Sequence, residues 1–241
     1  ILLDDFKSGF IYSDCWGDDS RLVVSNAMSA REKGAKIFTY TQLTSVCSEE
    51  SNWKINLKKS KKQFFVKSKL IVNATGPFVD EVLKKISKNY TNSNIRLIKG
   101  SHLILKRKIK NDFSYIFQNL DGRIIFLIPY ENDFILLGTT DIEENPPHLL
   151  KPKISKEEIE YLLKATSKYL KVPLQKNEII SSYSGYRPIY DKELNLPHKA
   201  NRDYKIEIDY VNSKPIISIF GGKLTTFRLM SEKVLTIIDK L

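Results

Sequence analysis

Apolar positions along the chain recur at two spacings, every second residue or every third to fourth, and the switches between them predict where strands give way to helices. Phe10 to Asp14 reads as a short strand. Asp18, Asp19 and Ser20 then offer an N-cap to a helix with Leu22, Val23, Asn26, Ala27 and Ala30 on one face, ended by Gly34. Lys36 to Tyr40 and Thr44 to Ser48 read as strands, and Trp53 to Leu57 with Gln63 to Lys67 as a hairpin around the Lys-rich turn 58–62. Lys69 to Ala74 is a continuous apolar strand of the kind buried in a parallel sheet, and Pro77 opens a helix carrying Phe78, Val79, Val82, Leu83 and Ile86.

From Ile95 the pattern changes to strands in succession, 95–106, 113–118, 123–130 and 134–139, with Asp121-Gly122 as a hairpin turn, which predicts an antiparallel sheet. Ser155 with Glu158 three residues on is a capping box opening a helix to about Tyr169. Strands return at 178–190, 203–211 and 215–220. A last helix, Lys223 to Leu241, spaces Phe227, Met230, Val234, Ile237 and Leu241 three and four apart. The fold class is mixed α/β (α+β), without repeats, low-complexity tracts or a long linker.

Composition narrows the class. With 241 residues, 41% of them hydrophobic and 11% aromatic, the chain can bury a real core, which excludes wholesale disorder. Its longest apolar run, Ile124 to Tyr130, is far below the roughly 18 to 20 residues that a spanning helix needs. The opening Ile-Leu-Leu-Asp-Asp lacks an initiator Met and a signal-peptide pattern, so the chain reads as a cytosolic fragment. Cys15 and Cys47 stand alone and read as reduced packing residues; three scattered histidines give no zinc signature. The formal charge is +11, with most of the excess between Lys54 and Lys99. Lys outnumbers Arg, and the aromatics there fall in strand-like runs, so this basicity reads as a solvated face and not a nucleic-acid footprint.

Four segments carry candidate chemistry. Ile219-Phe-Gly-Gly-Lys-Leu-Thr-Thr226 is a strand, two glycines and a helix start. Residues without Cβ let amides approach a ligand, and a first helical turn offers unsatisfied donors, so this suits an anion. A tight turn with a surface lysine fits the spacing equally. Ala74, Thr75 and Gly76 end a buried strand where open α/β sheets place ligands, or merely make a turn. Arg187, before Pro188, is held in an extended backbone that aims its rigid fork. His102 lies in an apolar strand, where a histidine is more often packed than functional. No G-x-G-x-x-G fingerprint occurs, because no two glycines are separated by a single residue.

Together and in this order, Ile95-Arg-Leu-Ile-Lys-Gly-Ser-His102, Gly138-Thr-Thr-Asp141, Ser184-Gly-Tyr-Arg-Pro188 and Phe220-Gly-Gly-Lys-Leu-Thr-Thr226 resemble the FAD-dependent glycerol-3-phosphate dehydrogenase family. Val72-Asn-Ala-Thr-Gly-Pro77 fits as well, though it recurs among flavin oxidoreductases. The resemblance spans essentially the whole chain. It implies a FAD-binding flavin-oxidoreductase fold with an antiparallel-sheet substrate domain: residues 1–94 in the FAD domain, 95–185 in the substrate domain and 186–241 returning to the first. It implies oxidation of sn-glycerol 3-phosphate to dihydroxyacetone phosphate, with electrons passed to quinone by a cytoplasmic protein or one peripheral to the cytoplasmic face of the inner membrane.

The same resemblance assigns roles. Arg187 orients the substrate oxygen, and His102 is the base or hydrogen-bond partner at the C2 hydroxyl. Arg202 and Lys223 are phosphate candidates. Leu43, Ala74, Thr75, Gly76, Gly221, Gly222, Lys223, Leu224 and Thr225 bind FAD, with the Gly221-Gly222 turn stabilising charge on the reduced flavin ring. The family's N-terminal strand, glycine turn and helix are missing from this sequence, which implies weak FAD binding by the chain alone. A flavin amine or amino-acid oxidase, and a non-catalytic basic remnant, remain as alternatives.

Overall fold

A computed structural model describes all residues except 88–89, 92–94, 145–150 and 191–202. Along the chain run helix α1 (Asp19–Glu32), strands β1 (Thr41–Ser48), β2 (Trp53–Lys59), β3 (Lys62–Ser68) and β4 (Ile71–Asn73), and helix α2 (Val79–Ile86). Strands β5 (Arg96–Leu105), β6 (Tyr115–Gln118), β7 (Ile124–Tyr130), β8 (Phe134–Gly138) and β9 (Ile142–Glu143) follow. Helix α3 (Lys156–Ser167), strands β10 (Ile179–Ile189), β11 (Tyr204–Val211) and β12 (Lys214–Gly221), and helix α4 (Phe227–Ile238) complete the order. The chain divides into two compact units, Ile1–Gly9 with Asn94–Arg202, and Phe10–Ser93 with Asp203–Leu241.

The first unit is built on one antiparallel sheet in the order β10-β5-β8-β7-β6, with β9 also on β5. Strict alternation drives it. Leu103, Leu105, Ile125, Leu127, Ile135 and Leu137 are fully buried and form a core with Leu162 of α3. Each fully buried Leu or Ile contributes roughly 1.5–3 kcal/mol, so a slip of one residue, which would turn this set to the other face, is strongly opposed. The predicted capping box opens α3: Ser155 accepts from the Glu158 amide while the Glu158 carboxylate accepts from the Ser155 amide. The predicted Asp121-Gly122 hairpin turn joins β6 to β7, with Gly122 at φ 81°.

The second unit holds a meander, β1-β2-β3, and a separate sheet, β11-β12-β4. In the latter β4 pairs with β12 in parallel, as predicted, but it spans Ile71–Asn73 and not the continuous 69–74 run, and Val72 in its middle is 41% exposed. Ile217, Ile219 and Val234 of α4 form a core there, and Trp53 is buried with its indole N–H donating to the Pro215 carbonyl at 3.3 Å. Asp18 caps α1 by accepting from the Arg21 amide at 2.8 Å, as its sequence predicts, although no residue of that helix is buried.

Several expectations are corrected. Residues 10–14 form no strand: Phe10 and Ile11 are exposed and the segment joins no ladder. A short apolar run becomes a strand only where another strand supplies its hydrogen bonds. Residues 36–40 are not extended either, because Tyr40 turns to φ 53° just before β1, which starts earlier than predicted, at Thr41. Cys15 and Cys47 are exposed, so neither is a packing residue. The last helix begins after a 3₁₀ turn, Leu224–Thr226, and not at Lys223. Among the described residues no helix is long and apolar enough to cross a membrane.

Candidate active site

In the first unit two strands bring Arg187 and His102 to one face. Residues directly opposite in an antiparallel pair share a face, and β5 faces β10 with Ile98 opposite Arg187, Gly100 opposite Gly185 and His102 opposite Tyr183. The His102 and Tyr183 rings stack with centroids 4.9 Å apart and planes 9° apart. Four residues of strand, about 13 Å, separate the His102 pair from the Arg187 pair. The pair between them carries no side chains.

That glycine pair gives the face its relief. Among the described residues nothing lies within 4 Å of a Cβ placed on Gly185, so they leave the surface over it open. A Cβ on Gly100 would lie 2.7 Å from the Thr139 hydroxyl, so the 139–141 segment closes over that half. Gly138, opposite His102 on β8, is needed for a different reason: a Cβ there would fall 2.2 Å from His102 Cδ2. The result is a short trough with an imidazole and a phenol at one end, into which the Arg187 guanidinium reaches from the other: its Nη2 lies 4.0 Å from where a Cβ on Gly100 would stand. Arg187 donates through Nη1 to Asp141 Oδ1 at 2.8 Å, which holds the fork while leaving its other nitrogens available.

The reverse face of the same strands is a buried polar network. Glu158 Oε1 accepts from the Ser101 and Thr140 hydroxyls at 2.8 and 2.7 Å, and the Ser101 amide donates to Thr140 Oγ1 at 3.0 Å. Lys99 Nζ lies 2.5 Å from Glu144 and 3.3 Å from Glu158, and Tyr186 donates to Glu144 at 2.6 Å. Burial opposes ionisation of Glu158, but hydrogen bonds from the Ser155 amide, Thr140 and Ser101 and the charge of Lys99 outweigh it and hold its carboxyl below the usual range. Burial alone would lower the Lys99 pKa; Glu144 and Glu158 instead raise it above its usual value. Burial and the hydrogen bond to Glu144 push the Tyr186 phenol up to about 12.

In the second unit, register places Ile216 beside Ile71 and Ser218 beside Asn73, so β4 and β12 end on the same side. Ala74, Thr75 and Gly76 leave β4 there, and β12 runs on to Gly221. Gly221 and Gly222 stand at φ 70° and 103°, a region that L side chains rarely adopt, and their backbone is bare of Cβ atoms. Lys223, Leu224 and Thr225 follow, exposed, at the start of the turn that leads into α4. Thr75 donates to the buried Asn73 side chain at 2.7 Å, and Asn73 donates to the Val79 carbonyl at 2.9 Å, which ties the 74–76 segment to α2. A donor set of bare amides, a lysine and hydroxyls at the carboxyl ends of parallel strands fits a dinucleotide with its negative charge.

The structure thus groups Ala74 to Gly76 with Gly221 to Thr225 in one unit, and His102 with Arg187 in the other. Leu43 sits half-buried in the meander, its carbonyl accepting from Lys85 of α2 at 3.3 Å. Arg202 lies outside the described residues. The sequence pattern marks no site role for Gly138, Asp141, Tyr183 or Glu158, the last of which reads only as a capping-box residue. Only the Gly138-Thr-Thr-Asp141 segment carried a signal, as one of the segments behind the family resemblance.

Residues 2–226 match the family model of the FAD-dependent oxidoreductases. The chain belongs to this family. Among curated relatives of this FAD-dependent oxidoreductase, D-erythritol 1-phosphate dehydrogenase of Brucella abortus is 38% identical over 234 residues, covering 96% of the chain and 46% of that protein. Glycerol-3-phosphate dehydrogenase of Pseudomonas tolaasii is 40% identical over 236 residues, covering 97% and 46%. The glycerol-3-phosphate dehydrogenase from Bacillus halodurans, solved in complex with FAD, superposes with a TM-score of 0.75 at 26% identity, covering 92% of the chain and 43% of that one. The chain therefore spans about half the length of the curated relatives it matches.

Proposed function

We propose that the chain belongs to a dehydrogenase that oxidises sn-glycerol 3-phosphate to dihydroxyacetone phosphate. The first unit serves as its substrate domain and the second as part of its FAD domain. The observation that carries this reading is the trough itself. His102 and Arg187 share one sheet face across a bare glycine pair, with Asp141 on the guanidinium. A polyol hydroxyl lying over the glycine pair sits between the base and the guanidinium, whose Nη2 reaches to 4.0 Å from a Cβ placed on Gly100.

FAD, when bound, supplies the two-electron acceptor for the hydride that leaves C2. His102 takes the hydroxyl proton as the C2–H bond breaks, so the C–O bond becomes a carbonyl and both protons and electrons balance. Arg187 donates hydrogen bonds to the same oxygen and stabilises its developing charge. Lys223 and Arg202 supply positive charge to phosphate groups, and Gly221 to Thr225 with Ala74 to Gly76 hold the dinucleotide through main-chain donors. Leu43 contacts the adenine. Electrons then leave to a quinone at the cytoplasmic face of the membrane, a surface to which a chain of charge +11 is drawn when the lipids are anionic.

The names of the relatives support a phosphorylated polyol, and the two identities, 38% and 40%, do not separate a four-carbon from a three-carbon one. The test is steady-state turnover of the FAD-loaded enzyme carrying this chain on sn-glycerol 3-phosphate, D-erythritol 1-phosphate and glycerol. The proposal expects the first to have the highest kcat/KM and glycerol to be nearly inert. In the same enzyme His102→Asn chiefly lowers kcat; a change in KM alone would make His102 a binding residue. Preference for the erythritol ester would overturn the substrate, and turnover of none would overturn the function.

A further inference from the structure

We propose that Glu158, on the face away from the trough, is a positioning residue for Arg187, acting through Thr140. The inference rests on the functional reading above. Its basis is a continuous set of contacts within one unit. Glu158 is 2% exposed and Thr140 and Ser101 are fully buried, so these hydrogen bonds are shielded from water. Thr140 donates to Glu158 and accepts from the Ser101 amide, which fastens the 139–141 segment to β5 from beneath. The next residue, Asp141, holds Arg187 from above.

Just beyond Asp141, Ile142 pairs with Lys99 and Glu143 with Ile98 of β5, so Thr140 on one side and this ladder on the other hold Asp141 between them. Thr139 lies against the bare backbone of Gly100, where even a methyl group would come within 2.7 Å, so the segment is already pressed onto the strand. Glu158 is itself fixed at both oxygens, by the two hydroxyls on one and by the Ser155 amide and Lys99 on the other. Ser101 also meets Ser184 of β10 at 2.9 Å, three residues before Arg187, so the same carboxylate registers both strands that carry the site. A carboxylate that ties a helix start, two strands and a loop leaves the Asp141–Arg187 pair one geometry.

The test is a set of double-mutant cycles in the FAD-loaded holoenzyme that carries this chain, reading kcat, KM and bound flavin. Thr140→Val and Glu158→Gln are expected to lower kcat on sn-glycerol 3-phosphate by about tenfold to a hundredfold, the scale of a small misplacement of a catalytic group. KM and flavin content stay near wild type. Thr140→Ser keeps the hydroxyl and restores most of the rate. In an Arg187→Ala background the same substitutions cost less than about twofold, because the group they position is gone. Equal losses in both backgrounds would mean a merely structural role and overturn the proposal, as would full activity of Thr140→Val. If Glu158→Gln does not fold, the Val and Ser pair at 140 decides alone. An Arg187→Ala enzyme with normal turnover overturns the functional reading and this proposal together, whereas a severe Arg187→Ala with a harmless Thr140→Val overturns this proposal only.

Discussion

Gly138→Ala isolates the packing of His102 from every other feature of the site. The new Cβ would stand 2.2 Å from His102 Cδ2 and 2.7 Å from both Cγ and Nε2. Carbon atoms in good contact are about 3.5–4.0 Å apart, so the imidazole or β8 has to move by more than about 1 Å. Tyr183 stacks on the ring from the neighbouring strand β10, which blocks the simplest escape. Overpacking of this kind costs about 1–3 kcal/mol, and at about 2–4 °C per kcal/mol for a chain of this size the melting temperature falls by several degrees. A displacement of about 1 Å in a reacting group costs on the order of a hundredfold in rate. Gly185→Ala is the control: its Cβ meets nothing, so stability is unchanged or rises by about 0.5–1 kcal/mol, while the methyl group narrows the trough and raises KM. Calorimetry and steady-state kinetics on both variants check the pair. Wild-type turnover and melting in Gly138→Ala would refute the packing argument.

Arg187→Lys keeps the charge but loses the planar fork held by Asp141, and kcat is expected to fall by about a hundredfold or more; unchanged turnover would remove Arg187 from the chemistry. Trp53→Ala opens a cavity under a side chain 1% exposed and strips the Pro215 carbonyl of its donor, at about 3–5 kcal/mol in urea unfolding. Glu158 has a depressed folded pKa, so its stabilisation is present above its ordinary value of 4.5 and lost as pH falls through the folded value. Glu158→Gln should therefore flatten the acid limb of the melting-temperature profile below pH 4.5, and an unchanged limb would contradict the buried network. Lys99, with its pKa raised, acts in the opposite sense: its contribution is full below 10.5 and is lost as pH climbs through the raised value.

What the sequence made legible was local or periodic. The Asp18 cap, the Ser155–Glu158 box and the Gly221-Gly222 bend each follow from a few neighbouring residues and have the predicted geometry, while the β4 run keeps its parallel pairing but shrinks to Ile71–Asn73 with Val72 exposed. What stayed hidden depends on sheet order. Asp141 reaches Arg187 from 46 residues away, and only because β5 stands between β8 and β10 does the loop after β8 pass beside the end of β10. Glu158 looked like nothing more than the N3 residue of a capping box; its second oxygen serves the site, which no spacing rule reveals. The false strand at 10–14 shows the converse, a short apolar run to which the described residues supply no strand neighbour.

The central claim is that a phosphorylated polyol is oxidised by hydride loss to FAD with Arg187 and His102 at the reacting oxygen. Anaerobic mixing of the FAD-loaded enzyme with sn-glycerol 3-phosphate in a stopped-flow spectrometer tests it most directly. Rapid bleaching of the flavin by the phosphate ester is expected, with slow or no bleaching by glycerol and a rate lowered by about a hundredfold or more in Arg187→Lys. Flavin that stays oxidised in the presence of the ester, or that bleaches equally fast in the variant, would contradict it.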